Sequence, residues 1–397
     1  MVNWEQITII EGQGEEMIIK NASIYTEDGC FEEKDIYIAG DKFCDENGKG
    51  AGKEVIIDGD GCYAIPGLTD IHFHGCMGSD FCDGTIEAID TMAAYEASVG
   101  VTTIVPATMT LGSEQLYKIC ETAAEYKKAQ DAGEKERKAI FCGINMEGPF
   151  ISKDKMGAQN PAYISKPDQA LFDEMQKKCG ELIKLVAIAP ETEGAMEFIR
   201  ENKKRTVLSL AHTTADYDTA MKAFEEGASH VTHLYNAMPP YSHRAPGVVG
   251  ATADSGAEAE LICDGVHIHP AAVRTTFKML GEDRIIFISD SMMATGLEDG
   301  DYSLGGQAVK VTGTLATLKD GTIAGSATNL MDCMRRAVLD MKIPLEKAVK
   351  CAAVNSAKSV GIYDQYGSIT AGKTANLVLL RKSDLSLYKV VLKGQVL

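Results

Sequence analysis

Ile65-Pro66-Gly67-Leu68-Thr69-Asp70-Ile71-His72-Phe73-His74-Gly75 closes an apolar run on two histidines one residue apart. Alternation along a strand points His72 and His74 to the same side, at the separation of two ligands on one metal ion. Alone, such a pair is weak evidence, because histidine pairs in strands are commonly half-buried structural residues. Its company carries the reading. Single residues of ligand type recur at the carboxyl ends of other apolar runs: Glu147 after 139–146, His212 after 206–211, His233 after 229–232 and Asp290 after 284–289.

Working outward, short β-branched runs alternate with helical-period segments from about residue 60 to 290, the pattern of parallel βα units. Strands are predicted at 64–72, 101–108, 139–147, 182–189, 206–212, 230–233, 258–263 and 284–290. Helices are predicted between most of them, at 85–99, 113–128, 168–179, 195–203, 217–226 and 270–280, with two more at 329–341 and 345–354. Eight such strands predict an α/β fold, a (β/α)8 TIM-type barrel, whose functional residues gather at the carboxyl ends of the strands. The ends of the chain read instead as short β runs, at 17–25, 34–39, 54–58, 374–380 and 389–397, with turns such as Asp28-Gly29 and Lys393-Gly394. They predict a small β-sandwich domain formed by 1–62 plus 366–397, beside a catalytic barrel over 63–365. Residues 299–322, with Gly305-Gly306, Gly313 and Asp320-Gly321, read as a hairpin-like excursion after the eighth strand.

Composition narrows the function. A chain of 397 residues, 45% hydrophobic, can bury a large core. Residues 1–16 lack a basic leader and carry Glu5, Glu11, Glu15 and Glu16, and no window approaches the ~20 apolar residues of a membrane span. Eleven cysteines without a Cys-x-x-Cys pair suit a reducing compartment, the cytoplasm, and argue against a disulfide framework or a thiolate zinc site. A net charge of −18 argues against nucleic-acid or anionic-membrane partners.

Neutral imidazole and carboxylate are common ligands of Zn2+ and related divalent ions, and three protein ligands plus a water position make a catalytic site. Glu147, His212 and His233 can hold one ion. His72 and His74 can add a second, with Glu147 bridging. Asp290, in Ile288-Ser289-Asp290-Ser291, is the acid–base candidate, able to take a proton from water and pass it to a departing amine. His230 and His243, like Cys76 and Cys82, read as structural or incidental.

Pro66 to Gly75 resembles the opening motif of the amidohydrolase superfamily, and Ala371-Gly372-Lys373-Thr374-Ala375-Asn376-Leu377-Val378 its closing motif. Met146-Glu147-Gly148-Pro149-Phe150, Lys155-Met156-Gly157-Ala158-Gln159-Asn160-Pro161, Thr232-His233-Leu234-Tyr235-Asn236-Ala237-Met238, Arg244-Ala245-Pro246-Gly247, Cys263-Asp264-Gly265-Val266-His267 and Ser289-Asp290-Ser291-Met292 are together similar to the N-acetylglucosamine-6-phosphate deacetylases of that superfamily. The resemblance implies hydrolysis of an N-acetyl group on a phosphorylated amino sugar, a small-molecule substrate. It implies one or two divalent ions, Zn2+ first, with Fe2+, Mn2+ or Co2+ as alternatives, and a homodimer. It implies metal ligation by Glu147, His212 and His233, and acid–base work by Asp290. Asn236, Ala237, Arg244 and His267, with Asp264 in the same motif, are implied as sugar-phosphate contacts. Gln159 takes a position that is histidine in some members, where it helps hold the acyl carbonyl, with Ala158 beside it adding shape. Thr328, Asn329 and Leu330 are implied to close over the acetyl end. Dihydroorotases and hydantoinases share the fold but use a bridging carboxylated lysine, where this chain offers Glu147. A non-catalytic protein on the same scaffold would be expected to have lost ligands, and none is missing here.

Overall fold

The computed structural model describes residues 16–46 and 54–397; the acidic start read at 1–16 lies outside them except for Glu16. All eight barrel strands are present: Leu68–Asp70, Val101–Ile104, a broken third strand, Ile183–Ile188, Val207–Leu210, His230–Val231, Glu258–Ile262 and Ile285–Ile288. Neighbours pair in parallel, as where Leu185 faces Val207 and Ala259 faces Ile285. The ring closes between its last and first strands through the Asp290 N–H to the His72 carbonyl, 2.9 Å, and the His74 N–H to the Ser291 carbonyl, 2.8 Å.

Two of the predicted strands are interrupted, each at a glycine. The run 64–72 divides at Gly67: Cys62–Pro66 pairs with Leu377–Arg381 in the terminal sheet, and only Leu68–Asp70 enters the barrel. A Cβ on Gly67 would lie 2.2 Å from Thr102 Oγ1, so glycine lets the chain pass from one sheet to the other against the second strand. His72 and His74 therefore follow the first barrel strand rather than ending it. The run 139–147 divides into Ile140–Phe141, which pairs with the second strand, and Ile144–Met146, which pairs with the fourth. Between them Gly143 lies where a Cβ would meet the Leu182 carbonyl at 2.7 Å.

The predicted helices are present, several started by side-chain caps: Thr85, Asp168 and Asp216 each accept a backbone N–H of the first turn. The helix Gly247–Ser255 was not expected, because its glycines and threonine carry little helical propensity; residues 247–252 are nonetheless buried, so packing holds it. The excursion after the eighth strand is a three-stranded antiparallel sheet, Gly300–Leu304, Gln307–Thr312 and Leu315–Thr317.

Strands from both chain ends lie in one eight-stranded sheet, in which Cys62–Pro66 sits between Glu16–Tyr25 and Leu377–Arg381. This sheet encloses its own apolar cluster, including Ile19, Ile38, Ala64, Leu377, Leu379 and Val391. Each such leucine or isoleucine contributes about 1.5–3 kcal/mol on burial, enough to hold the two ends of the chain against each other.

Candidate active site

Three of the sequence-predicted residues occupy the same backbone position. His212, His233 and Asp290 each stand two residues beyond a strand, with φ of 44°, 31° and 49°. Left-handed backbone costs a side-chain-bearing residue about 1–3 kcal/mol and persists where its surroundings enforce it. Hydrogen bonds do so here. Glu260 accepts the His233 N–H at 3.0 Å, the His72 carbonyl accepts the Asp290 N–H at 2.9 Å, and the His212 carbonyl accepts the Ser152 N–H at 2.9 Å. The sharp turns carry all three side chains into the barrel mouth.

Glu147 is the centre of the cluster. Its Oε1 lies 3.1 Å from His212 Nε2, 3.2 Å from His233 Nε2 and 3.5 Å from His72 Nε2, and its Oε2 lies 3.4 Å from His74 Nε2. Asp290 Oδ1 is 3.3 Å from His74 Nε2 and 3.8 Å from His72 Nε2. Two ligand groups result, His72–His74–Glu147 and Glu147–His212–His233, sharing the carboxylate and buried throughout.

The donor set fits a divalent cation. His212 Nδ1 donates to the Lys155 carbonyl at 2.8 Å, which leaves the Nε2 lone pair facing Glu147. His72 Nδ1 lies 2.8 Å from Glu260, which turns its Nε2 to Glu147 in the same way. Lone pairs on two imidazoles aimed at a carboxylate repel one another unless positive charge lies between them. Burial alone would raise Glu147, but the imidazoles of His72, His212 and His233 gathered around it hold its carboxyl well below the ordinary range. Burial likewise raises Asp290, and His74 and His72 outweigh it, keeping the acid–base candidate ionised.

The cluster lies in a cavity of about 500 Å³, whose lining includes His74, Glu147, His212, His233 and Asp290. Ala158, Gln159, Asn236, Ala237 and His267 line it too. Gln159 is already engaged: its Nε2 donates to Glu147 Oε2 at 2.7 Å and its Oε1 accepts the Thr110 N–H at 2.7 Å. The Asn236 N–H is committed to the His233 carbonyl at 2.9 Å. Asp264 lies behind the lining, fully buried, where it accepts the Val266 and His267 N–H groups and holds His267 Nδ1 at 2.7 Å. Burial works against the His267 cation, but this carboxylate raises its pKa above the ordinary value.

Besides Asp264, four expected contacts lie outside the lining. Arg244 sits on an exposed turn closed by Ser242 and Ala245 and is not among the residues that line the cavity of its own chain. Asn329 caps the helix Leu330–Leu339 by accepting the Asp332 N–H at 2.9 Å, which fixes Thr328 and Leu330 in buried packing around the cap. In exchange the structure brings in Lys153 and Lys155 from the loop after the third strand, Asp320 and Thr322 from the excursion, and Ile323 and Gly325 just beyond it. Gln307 Nε2 ties that excursion to the Ala158 carbonyl at 2.6 Å. Sequence reading also passed over Glu260, whose signal was an acidic residue in the middle of the strand run 258–263.

A parallel barrel gathering imidazoles and carboxylates at the carboxyl ends of its strands is the architecture of metal-assisted hydrolysis. The amidohydrolase family model matches residues 63–397, and the chain belongs to that family. It is 39% identical to N-acetylglucosamine-6-phosphate deacetylase of Bacillus subtilis (strain 168) over 334 residues, 84% of each chain. It is 32% identical to N-acetylgalactosamine-6-phosphate deacetylase of Escherichia coli O157:H7 over 333 residues, 83% of this chain and 86% of that one. The crystal structure of N-acetylglucosamine-6-phosphate deacetylase from Pasteurella multocida superposes with a TM-score of 0.88 at 27% identity, covering 96% of this chain and 99% of that one.

Proposed function

We propose that this chain hydrolyses the acetamide of N-acetyl-D-glucosamine 6-phosphate, giving D-glucosamine 6-phosphate and acetate. The observation that carries the reading is the buried convergence of His72, His74, His212 and His233 on Glu147, with Asp290 beside His74, in a chain 39% identical to a named deacetylase of this substrate. Glu147, His212 and His233 would hold the required divalent ion, with His72 and His74 forming a second position around the same carboxylate. When bound, such an ion supplies Lewis acidity that polarises the acetyl carbonyl and acidifies the attacking water. Asp290 takes the proton of that water as its oxygen bonds to the acetyl carbon, then delivers a proton to the sugar nitrogen as the C–N bond breaks. Gln159 keeps Glu147 in place through its amide. His267, whose cation Asp264 favours against its burial, and the Ala237 N–H face the phosphate.

Zn2+ is the first metal to test, followed by Fe2+, Mn2+ and Co2+. The free thiols among the eleven cysteines support a cytoplasmic enzyme. Among the described residues no helix is long and apolar enough to cross a membrane. The division into a terminal β domain, 1–62 plus 366–397, and a catalytic barrel, 63–365, follows the same reading. Arg244, exposed and absent from the lining of its own cavity, is assigned to the substrate phosphate of a second copy in a homodimer. Mixing Arg244→Ala with Asp290→Asn protein should then recover activity in the hybrids; no recovery removes the trans role. The reaction itself is tested by acetate release on the 6-phosphates of N-acetylglucosamine and N-acetylgalactosamine and on the free sugars. Fastest release from N-acetylglucosamine 6-phosphate is expected. No release from any phosphorylated sugar would overturn the proposal.

A further inference from the structure

Barrel interiors are normally filled with branched apolar side chains, yet the seventh strand places a carboxylate at the centre of this one. Glu260 is fully buried. Its Oε2 accepts twice, from His72 Nδ1 at 2.8 Å and from the His233 backbone N–H at 3.0 Å. One oxygen thus grips a residue from each of the two ligand groups around Glu147. Its other oxygen, Oε1, has no hydrogen-bond partner and lies 3.9 Å from His230 Nε2, while His230 Nδ1 is anchored to Ser209 Oγ at 2.8 Å. Burying a carboxylate is costly unless it is paired and hydrogen-bonded, so the two bonds to Oε2 are what hold Glu260 there. On the far side of the His72 ring, Nε2 is buried without a hydrogen-bond partner and is turned to Glu147.

We propose that Glu260 is a positioning residue: it fixes the His72 imidazole with the proton on Nδ1 and the lone pair on Nε2, and ties that ring to the His233 turn, so that His72, His74 and Glu147 form a second metal position in register with the first. The inference rests on the metal-hydrolase reading above, but it concerns a residue that touches neither ion nor substrate. A carboxylate behind an imidazole selects the tautomer and raises ligand basicity, and losing such a partner typically costs about 10–100-fold in metal affinity. The effect falls on the ion held by His72, because His233 keeps its own side-chain contact with Glu147 and its turn is also held by neighbouring backbone.

The test is Zn2+ binding to the stripped full chain, followed by competition with a chromogenic chelator and checked by elemental analysis, for wild type, Glu260→Met, Glu260→Gln and His72→Ala. Wild type is expected to take two ions. Glu260→Met should weaken the looser ion by about 10–100-fold, and Glu260→Gln, which keeps an acceptor oxygen, should weaken it less. Adding Glu260→Met to His72→Ala should change the looser ion no further, because the carboxylate acts through that ring; a merely structural residue would add its own loss. Should Glu260→Met fail to fold, the wild-type imidazole spectrum decides: His72 must show a hydrogen-bonded Nδ1–H. Two ions held with unchanged affinity in Glu260→Met, a single ion in wild type, or a His72 proton on Nε2 would each overturn the role of Glu260 and leave the deacetylase standing. Wild type that takes up no divalent ion would overturn the metal-hydrolase reading itself.

Discussion

Asp290 is held ionised by His74 and His72 against its own burial, the state a proton acceptor needs before the reaction begins. Asp290→Asn preserves size and hydrogen bonding but cannot accept the proton, so kcat should fall by ~10²–10⁴-fold with KM little changed; near-normal turnover would remove the residue from the chemistry. His267 gives a second test. Its pKa stands above the ordinary value because of Asp264, so its cation persists to higher pH and is lost as pH rises through that raised value. KM for the phosphorylated sugar should therefore rise with pH on that limb. Asp264→Asn should move the rise to lower pH and weaken binding at neutral pH by roughly tenfold, about the worth of one hydrogen bond to a charged group. A KM profile that does not shift would show that His267 faces no phosphate. At this scale the ligand residues were legible from type and position, since all five stand just past apolar runs. Their partners were not. Glu260, the Lys155 carbonyl and Thr110 reach the site from sequence distances of 188, 57 and 49 residues, separations that no local pattern reports.

Among the elements, the eight barrel strands and most helices follow from periodicity, while the breaks at Gly67 and Gly143 do not, because they answer to side chains of neighbouring strands. His72 and His74 were read as strand alternation, yet they stand in the segment after the strand, and the Asp290 and Ser291 backbone fixes them there. The segment of Thr328, Asn329 and Leu330 answers to a local cause as well, since a helix N-terminus must satisfy its first N–H groups and Asn329 does so. Asn329→Ala should consequently lower stability by about 1 kcal/mol in denaturant unfolding, with kcat/KM nearly unchanged. A large loss of kcat/KM with stability intact would restore a substrate role to that segment.

In the whole molecule, a net charge of −18 has to coexist with an anionic substrate. The structure meets this locally, with His267, Lys153 and Lys155 in the lining of one cavity. The barrel was legible in the rhythm of the chain, and the joining of its two ends in the β runs at each terminus. The gathering of the cavity wall from the excursion and the 153–159 loop was not, because it depends on tertiary contacts such as Gln307 to Ala158. The central claim is that the cluster around Glu147 holds the ion that makes this chain a deacetylase. Its most direct test is acetate release from N-acetylglucosamine 6-phosphate while Zn2+ is titrated into the stripped chain. Release should be absent without metal, return in proportion to the ion added and level off by the second ion per chain, with Glu147→Ala inert throughout; full release from the stripped chain, or from Glu147→Ala, would contradict the account.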